Sequence, residues 1–511
     1  LHALLNQGLL LCWLGLQLSA VPFQYLVGSC FVSWLSECTW WSYWVRGDDL
    51  YQLKRFCALN KGHEFGRIFS CVFDNWATNQ SLLLEYDLCF DSMNSDRECF
   101  CLFQELIAAL LVCSFFCLFP ATNRGAKHLQ AINFDNLFVC LYESHDISQE
   151  NKIKCIVHYF EKICSCMPVG NVSFERKVLP LTNSLSHISS PKANLWSKSS
   201  VSLCHFEVHS SGLIEDQPAE ALEVDFANKY IGGGALFRGC VQEEIRFMIN
   251  PELIVGMLFL PAMADNESIE IIGTQRFCDY TGYASSFCFS GDYKDVKGVD
   301  SMGRRKTRII AIDALSRVGK RQYTPECLLR ETNKAFCGFY DQSRRQQYEN
   351  LFVDTEFSEA EFDEGNKNPL ESSTRNLLTS FQSVNETSSN QPVRVNEQKW
   401  DDDKVGIATG NWGCGAFGGD PEVKAIIQWL AASQALRPFI LYYTFGLESS
   451  RKLDKVVQWI ISQKWNVGEL WEMLVEYSRQ KLKQQTKLTF FEWLLPSLYD
   501  DDPMIMDTSF T

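Results

Sequence analysis

The stretch Val224–Glu244, VDFANKYIGGGALFRGCVQEE, decides how the rest of the chain is read. Its apolar start, with Ala221–Phe226 (ALEVDF), has the composition of a buried strand. Asp225 and Asn228 follow where the strand gives way to a loop. Ligands of open α/β sheets collect beyond the carboxyl ends of strands, where an Asp and an Asn can hold sugar hydroxyls. An Asx turn or a helix cap is the alternative role for the same pair. Gly232, Gly233 and Gly234 permit close approach of backbone N–H groups to a pyrophosphate, or form a simple turn. Beyond the next seven residues, Gln242, Glu243 and Glu244 open a helix, where acidic groups also complement the helix dipole. Cys240, Val241, Ile245 and Phe247 make their setting largely apolar. Such a setting favours the protonated carboxyl and keeps a proton available for a leaving oxygen. A glycine loop and an acidic pair in one segment point to chemistry on a phosphate-rich glycoside.

Strand-like and helical segments alternate outward from this stretch. Cys204–His209, Ile269–Ile272, Arg308–Ile312, Val405–Ala408 and Phe439–Phe445 read as strands. Gln242–Leu260, turning at Asn250 and Pro251, reads as helix, as do Pro325–Phe336 and Glu422–Ala435. The alternation predicts an α/β layered domain over 201–495, followed by an acidic tail over 496–511. Upstream, Cys101–Phe119 is nearly all apolar and stops at Pro120, which predicts a buried helix. Ile153–Met167 has helical spacing through Ile156, Tyr159, Phe160 and Ile163. Residues 101–200 are therefore expected to form a partial accessory helical domain. Residues 341–404 are rich in Ser, Asn, Gln, Asp and Glu and are expected to be a disordered insertion.

A second glycine-rich loop, Thr409–Asp420 (TGNWGCGAFGGD), lies after a strand in the same domain. Two such loops would wrap both faces of a diphosphate. Cys414 is a weak candidate nucleophile, because no His is near it in sequence. The tripeptide Thr281–Tyr283 offers in Tyr283 an aromatic able to stack on a base, although core or surface packing would also account for it.

The formal net charge of −15 over 511 residues argues against a general or sequence-specific nucleic-acid binder. A polyanion remains an acceptable ligand where backbone N–H groups supply local positive potential. The 21 cysteines include no C-x-x-C pair and no zinc-ligand spacing. They read as reduced, mostly buried thiols of a cytosolic or nuclear protein, and no metal or cofactor is expected. Leu1–Ser36 carries no Asp, Glu, Lys or Arg. Non-native sequence, a membrane or signal segment, and a buried helix are all open readings of it, and residues 1–100 are left uncertain. Since Leu1 is not an initiator Met, a fragment or a processed form is expected.

The ordered set VDFAN, GGG-x7-QEE, EEIRFMINPELI, DYTGYA, IIAIDAL and ATGNWGCGAFGGD closely resembles the catalytic region of the poly(ADP-ribose) glycohydrolases, in their vertebrate-type pattern. The resemblance covers roughly 101–495, interrupted by 341–404. It implies a macrodomain-like mixed sheet flanked by helices, preceded by an accessory helical domain. It implies hydrolysis of the ribose–ribose O-glycosidic bonds of poly(ADP-ribose), with release of ADP-ribose, without a cofactor or metal. Poly(ADP-ribose) and poly(ADP-ribosyl)ated proteins would be the partners of a monomeric, nuclear or cytoplasmic enzyme, reversing ADP-ribosylation in settings such as the DNA damage response. By motif, Glu244 matches the acid/base that protonates the leaving ribose hydroxyl, and Glu243 the neighbour that orients the substrate ribose. Asp225 matches the third acidic residue. Asn228 and Gln242 match polar substrate contacts, and Ile214 and Glu215 the segment against adenine. Tyr283 matches the aromatic near adenine. Asn411, Trp412, Gly413, Cys414, Gly415 and Ala416 match the diphosphate-side loop, and Phe417 and Phe445 the aromatics around the ribose. Phe237 and Arg238 stand where the family pattern has small residues, which implies an altered substrate fit. A non-catalytic ADP-ribose-binding macrodomain, or a degenerate paralogue, is the alternative.

Overall fold

The computed structural model describes residues 99–341 and 404–496, with interruptions at 116, 118, 120–127, 145, 180–192, 219 and 447–451. The expectations for 1–98, for 342–403 and for 497–511 fall outside the described residues. Among the described residues ten strands run in chain order. They are β1 Cys99–Phe103, β2 Asn171–Val178, β3 His205–His209, β4 Ala221–Asp225, β5 Glu267–Gly273, β6 Cys278–Thr281, β7 Cys288–Asp292, β8 Arg305–Ala311, β9 Gly406–Gly410 and β10 Phe439–Tyr443. Eight form one mixed sheet in the order β1-β2-β5-β8-β4-β9-β10-β3, and β6-β7 is a separate hairpin. The five strands from β8 to β3 are mutually parallel. The other three add to that block antiparallel. The parallel strands β3, β4, β9 and β10 therefore end on one side of the sheet, which is where the chemistry-bearing loops emerge.

Strand period explains the two cores. In β8 and just after it, Ile309 and Ala311 pack into one cluster while Ile310 and Ile312 pack into the other. The first cluster joins the sheet to the helices α1 Gln104–Phe115, α2 Asp135–Ser144, α3 Ile147–Ser165 and α5 Gln242–Ile249, and to the 3-10 turn Pro251–Leu258. α4 is the short helix Ala193–Ser197, whose Trp196 belongs to the second cluster. That second cluster also holds α6 Pro325–Phe339, α7 Pro421–Gln434, α8 Leu453–Ser462, α9 Val467–Leu482 and α10 Phe490–Leu494.

The segment read as a partial accessory helical domain, 101–200, also supplies sheet strands. The helix expected over Cys101–Phe119 begins only at Gln104, because Cys99–Phe103 pairs along β2 with Cys99 opposite Glu175 and Phe103 opposite Asn171. Strand β2 itself, NVSFERKV, hid behind its charges. Arg176 and Lys177 are both buried. Arg176 pairs with Glu267 at 2.5 Å, and the Lys177 ammonium donates to the Gly338 and Tyr340 carbonyls at 2.7 and 2.5 Å. Satisfied in this way, the two cations tolerate burial.

Candidate active site

A cleft of about 760 Å³ opens beyond the carboxyl ends of the parallel strands. Phe226, Gly410 and Tyr443, at or just after the ends of β4, β9 and β10, form its floor. The volume lies in the range that holds a nucleotide-sized ligand.

The helix α5 brings its two first-turn glutamates to the wall of this cleft. Val241 is the N-cap residue and has no side-chain acceptor, so the cap is one-sided. Glu244 reaches back and its Oε2 accepts from the Val241 N–H at 2.9 Å, while its Oε1 accepts from the Gly234 N–H at 2.9 Å. Both carboxylate oxygens are thereby fixed. Glu243 is held in a similar way, with Oε1 on the Gly232 N–H at 2.6 Å and Oε2 on the Asn228 N–H at 2.9 Å. Gln242 ties the same helix end to β4. Its Oε1 accepts from the Phe226 N–H at 2.8 Å and its Nε2 donates to the Val224 carbonyl at 3.1 Å.

This changes the expected role of the triple glycine. Gly232, Gly233 and Gly234 do not line the cleft. Their N–H groups donate to Glu243, to the Tyr230 carbonyl at 3.0 Å and to Glu244. Two neighbouring carboxylates and a backbone carbonyl occupy the donors that a phosphate would need. The glycines are required for a different reason: a Cβ on Gly233, whose φ is +48°, would stand 2.5 Å from Glu243 Oε2 and 2.8 Å from Glu244 Oε1. The segment is a cradle for protein carboxylates.

The second glycine loop is arranged differently. Asn411, Gly413, Cys414, Gly415, Ala416 and Phe417 all line the cleft. The N–H groups of Gly413, Gly415, Ala416 and Phe417 donate to no acceptor among the described residues. Trp412 is the exception. It is fully buried, its Nε1 donates to the Ile312 carbonyl at 2.9 Å, and the Lys424 ammonium lies 3.9 Å from its ring centroid. It anchors the loop to the core and does not reach the cleft. Burial pushes the Cys414 thiol well up, with Asp420 adding to the rise, so it is a poor nucleophile.

Asp225 also stands apart from its expected place. It does not line the cleft, and its two carboxylate oxygens have no hydrogen-bond partner among the described residues. Burial pushes its carboxyl up to about 7, with Arg246 opposing and Glu244 adding to the rise. Burial likewise drives the Glu243 carboxyl well up, reinforced by Asp225 and Glu244 and opposed by the Asn228 and Gly232 N–H groups. Beneath them Glu223 is buried as well, but Arg246 and Lys297 outweigh its desolvation and hold it below the usual carboxylate range.

At the far end of the cleft Ile214 and Glu215 are buried on a 3-10 turn. The Tyr280 hydroxyl donates to Glu215 Oε1 at 2.5 Å, and Arg276 pairs with Asp216 at 2.5 Å. These bonds join the turn to the β6-β7 hairpin. Tyr283, beyond β6, and Phe445, beyond β10, meet at the mouth with ring centroids 5.0 Å apart. Phe445 is 55% exposed and adopts φ +52°, a conformation unusual for a bulky residue and often kept at binding sites. Asn228 forms the Asx turn, with Oδ1 accepting from the Tyr230 N–H at 3.0 Å. The Asn411 amide is engaged by the Thr444 carbonyl at 2.7 Å and the Tyr442 hydroxyl at 3.2 Å. Sequence reading overlooked Phe226, Tyr280 and Tyr443. Their signal was positional, since two flank strand ends and Tyr280 lies in the DYTGYA segment.

Comparison with known proteins agrees with this geometry. Residues 193–452 match the model described as poly(ADP-ribose) glycohydrolase, Macro domain fold, and residues 80–176 match the one described as its helical domain. The chain is 58% identical over 407 residues to poly(ADP-ribose) glycohydrolase 1 of Arabidopsis thaliana, covering 77% of this chain and 72% of that one. The chain belongs to the poly(ADP-ribose) glycohydrolase family. A protein named probable poly(ADP-ribose) glycohydrolase 2 of the same plant is 51% identical over 399 residues, with the same coverage. Poly(ADP-ribose) glycohydrolase 1 of Caenorhabditis elegans is 31% identical over 336 residues, 63% of this chain and 35% of that one. The two glycohydrolase models divide the chain within the interval 177–192, yet the packing does not divide there. Side chains of α1–α3 share one apolar cluster with α5, which carries the glutamates.

Proposed function

We propose that this chain hydrolyses the ribose–ribose O-glycosidic bonds of poly(ADP-ribose) and releases ADP-ribose, with Glu244 as the general acid and base. The observation that carries the reading is the Glu244 carboxylate, set on the cleft wall and oriented by the Gly234 and Val241 N–H groups. The free N–H groups of the Gly413–Phe417 loop would take the diphosphate, where fixed dipoles stabilise negative charge. Tyr283 and Phe445 would close over one end of the nucleotide. The ribose beside the glutamates would lose its leaving oxygen as an oxocarbenium-like centre develops. Glu244 donates a proton to that oxygen, and its carboxylate then takes one from the attacking water. Adjacent glutamates on one helical turn do not flank the bond as the usual glycosidase pair does. Glu243, held from two sides, orients the ribose. Asp225 lies behind, and its proton equilibrium tunes the pair in front.

Glu244→Gln keeps the shape of the side chain and removes its acid function. Polymer cleavage, followed as released ADP-ribose, is expected to slow by about 10²–10⁴-fold. The affinity for ADP-ribose, measured calorimetrically, should stay within about twofold, since general-acid loss acts on the transition state. Undiminished cleavage by this variant would remove Glu244 from its role. Binding of polymer by the wild type with no release would favour the non-catalytic macrodomain.

A further inference from the structure

Lys152 lies on α3, within the helical layer, and is fully buried. A buried ammonium is costly unless its three donors are met. Here they are met almost entirely by one loop. Nζ donates to the Phe237 carbonyl at 2.8 Å and the Gly239 carbonyl at 2.7 Å, with the Gly234 carbonyl at 3.5 Å and Gln149 Oε1 at 3.4 Å. Two neighbours act on the same loop. Gln149 Nε2 donates to the Arg238 carbonyl at 3.4 Å, and Gln130 Nε2 donates to the Gly233 carbonyl. The carbonyls of 233, 234, 237, 238 and 239 are thus all gathered by the helical layer.

The N–H side of this loop is what holds Glu244. The Gly233 carbonyl and the Gly234 N–H belong to one planar peptide unit and point in opposite directions. Holding the oxygen on Gln130 therefore aims the hydrogen at Glu244 Oε1. Gly239 packs directly on the Glu244 side chain: a Cβ there would stand 2.5 Å from Oε1 and 2.6 Å from Cδ. Lys152 fixes Gly239 in that position. Burial lowers the ammonium to about 8, while Cys240, Glu244, Cys140 and Asp146 act to raise it. The group is accordingly mostly charged at neutral pH.

We infer that Lys152 is a positioning residue for Glu244: from the helical layer it holds the Gly234–Gly239 loop in the conformation whose Gly234 N–H orients the catalytic carboxylate. This rests on Glu244 being the acid and base. It gives the helical region a part in the chemistry without a residue in the cleft, for Lys152 does not line it.

The test is Lys152→Met, with Lys152→Arg beside it and Glu244→Gln as reference. With Lys152→Met folded by circular dichroism, kcat on polymer is expected to fall roughly 10²-fold, as for a small misplacement of a catalytic group. The Kd for ADP-ribose should stay within about twofold, because the phosphate-side loop is untouched. Lys152→Arg, which keeps charge and donors, should recover at least about tenfold of the lost kcat. A merely structural lysine would lower the melting temperature and leave kcat of the folded protein unchanged, and that result overturns the inference. If Lys152→Met does not fold, Gln130→Ala decides. Its kcat should fall about three- to tenfold at unchanged Kd, the effect of one lost orienting hydrogen bond, and an unchanged kcat is again fatal. The two readings fail separately. An inactive Glu244→Gln with a fully active Lys152→Met removes only the positioning role, whereas an active Glu244→Gln removes the Glu244 assignment itself.

Discussion

The two glycine-rich loops of this protein look alike in sequence and do opposite things. Gly232–Gly234 turns its N–H groups inward, onto Glu243, the Tyr230 carbonyl and Glu244. In the second loop the N–H groups of Gly413, Gly415, Ala416 and Phe417, along the cleft, meet no acceptor among the described residues. The difference lies outside the glycines. The first loop is followed by two carboxylates on a helix start, which return to it across ten or eleven residues, from Gly234 to Glu244 and from Gly232 to Glu243. The second is followed by Asp420, whose carboxylate caps the next helix through the Glu422 and Val423 N–H groups instead of turning back on its own glycines. A glycine loop supplies donors. Whether a phosphate or a protein carboxylate takes them depends on which anion the fold delivers.

The largest break in this comparison is expected at Gly239. An added methyl there collides with the Glu244 carboxylate and Cγ, the latter at 2.8 Å. The side chain must shift to make room, since Gly239 has no left-handed φ to complicate the change. Gly239→Ala is expected to lower kcat on poly(ADP-ribose) by about 10²-fold, with ADP-ribose affinity retained. Steady-state kinetics and calorimetry on the same preparation check this. A rise in Kd with kcat intact would mean that the first loop binds the ligand after all.

Gly415 is the mirror experiment, with a smaller effect. Nothing lies within 4 Å of a Cβ placed there, and the backbone needs no positive φ. Gly415→Ala should therefore fold with an unchanged melting temperature. The methyl stands on the cleft wall, where it interferes with a phosphate approaching the free N–H groups. ADP-ribose affinity is expected to weaken about tenfold, or about 1.4 kcal/mol. Saturating polymer should restore most of the rate, because the loss is in binding. Unaltered affinity would take the diphosphate away from this loop.

The comparison also separates what the sequence carries from what it does not. The strand ends that floor the cleft, and the helix that begins at Gln242, were legible because burial on both faces gives short apolar runs and because QEE sits at a helix start. The cleft wall formed by Gly413–Phe417 was legible for the same reason, since its loop follows β9. Three things were not. β2 carries Glu175, Arg176 and Lys177 in succession, and Glu267 of β5 and two carbonyls at the end of α6 are among the groups that meet Arg176 and Lys177. Trp412 sits among cleft residues by number, but its indole N–H is claimed by Ile312. The occupied donors of Gly232–Gly234 depend on the chain returning to itself, and no local pattern distinguishes that return from an open phosphate loop.

The smallest effect probes the acid load behind the first loop. Glu244 raises the proton affinity of Asp225, and Asp225 and Glu244 together raise that of Glu243; the Asp225 carboxylate has no hydrogen bond among the described residues to stabilise its charge. Its folded value near 7 lies above the value of about 3.9 for an aspartate in an unfolded chain. Between these two values the native protein holds a proton that the unfolded chain has released. The stability contributed by this carboxyl is thus full below about 4 and is lost as pH rises through 7. Asp225→Asn removes the titration while keeping the shape. Its melting temperature relative to wild type is expected to climb by a few degrees between pH 5 and pH 8 and to level off above the folded value. Thermal melts at pH 5, 6.5 and 8 measure it. An offset that does not change with pH would mean that Asp225 is ionised throughout, with Arg246 offsetting its burial in full, and the first loop would then rest on a settled charge instead of a shared proton.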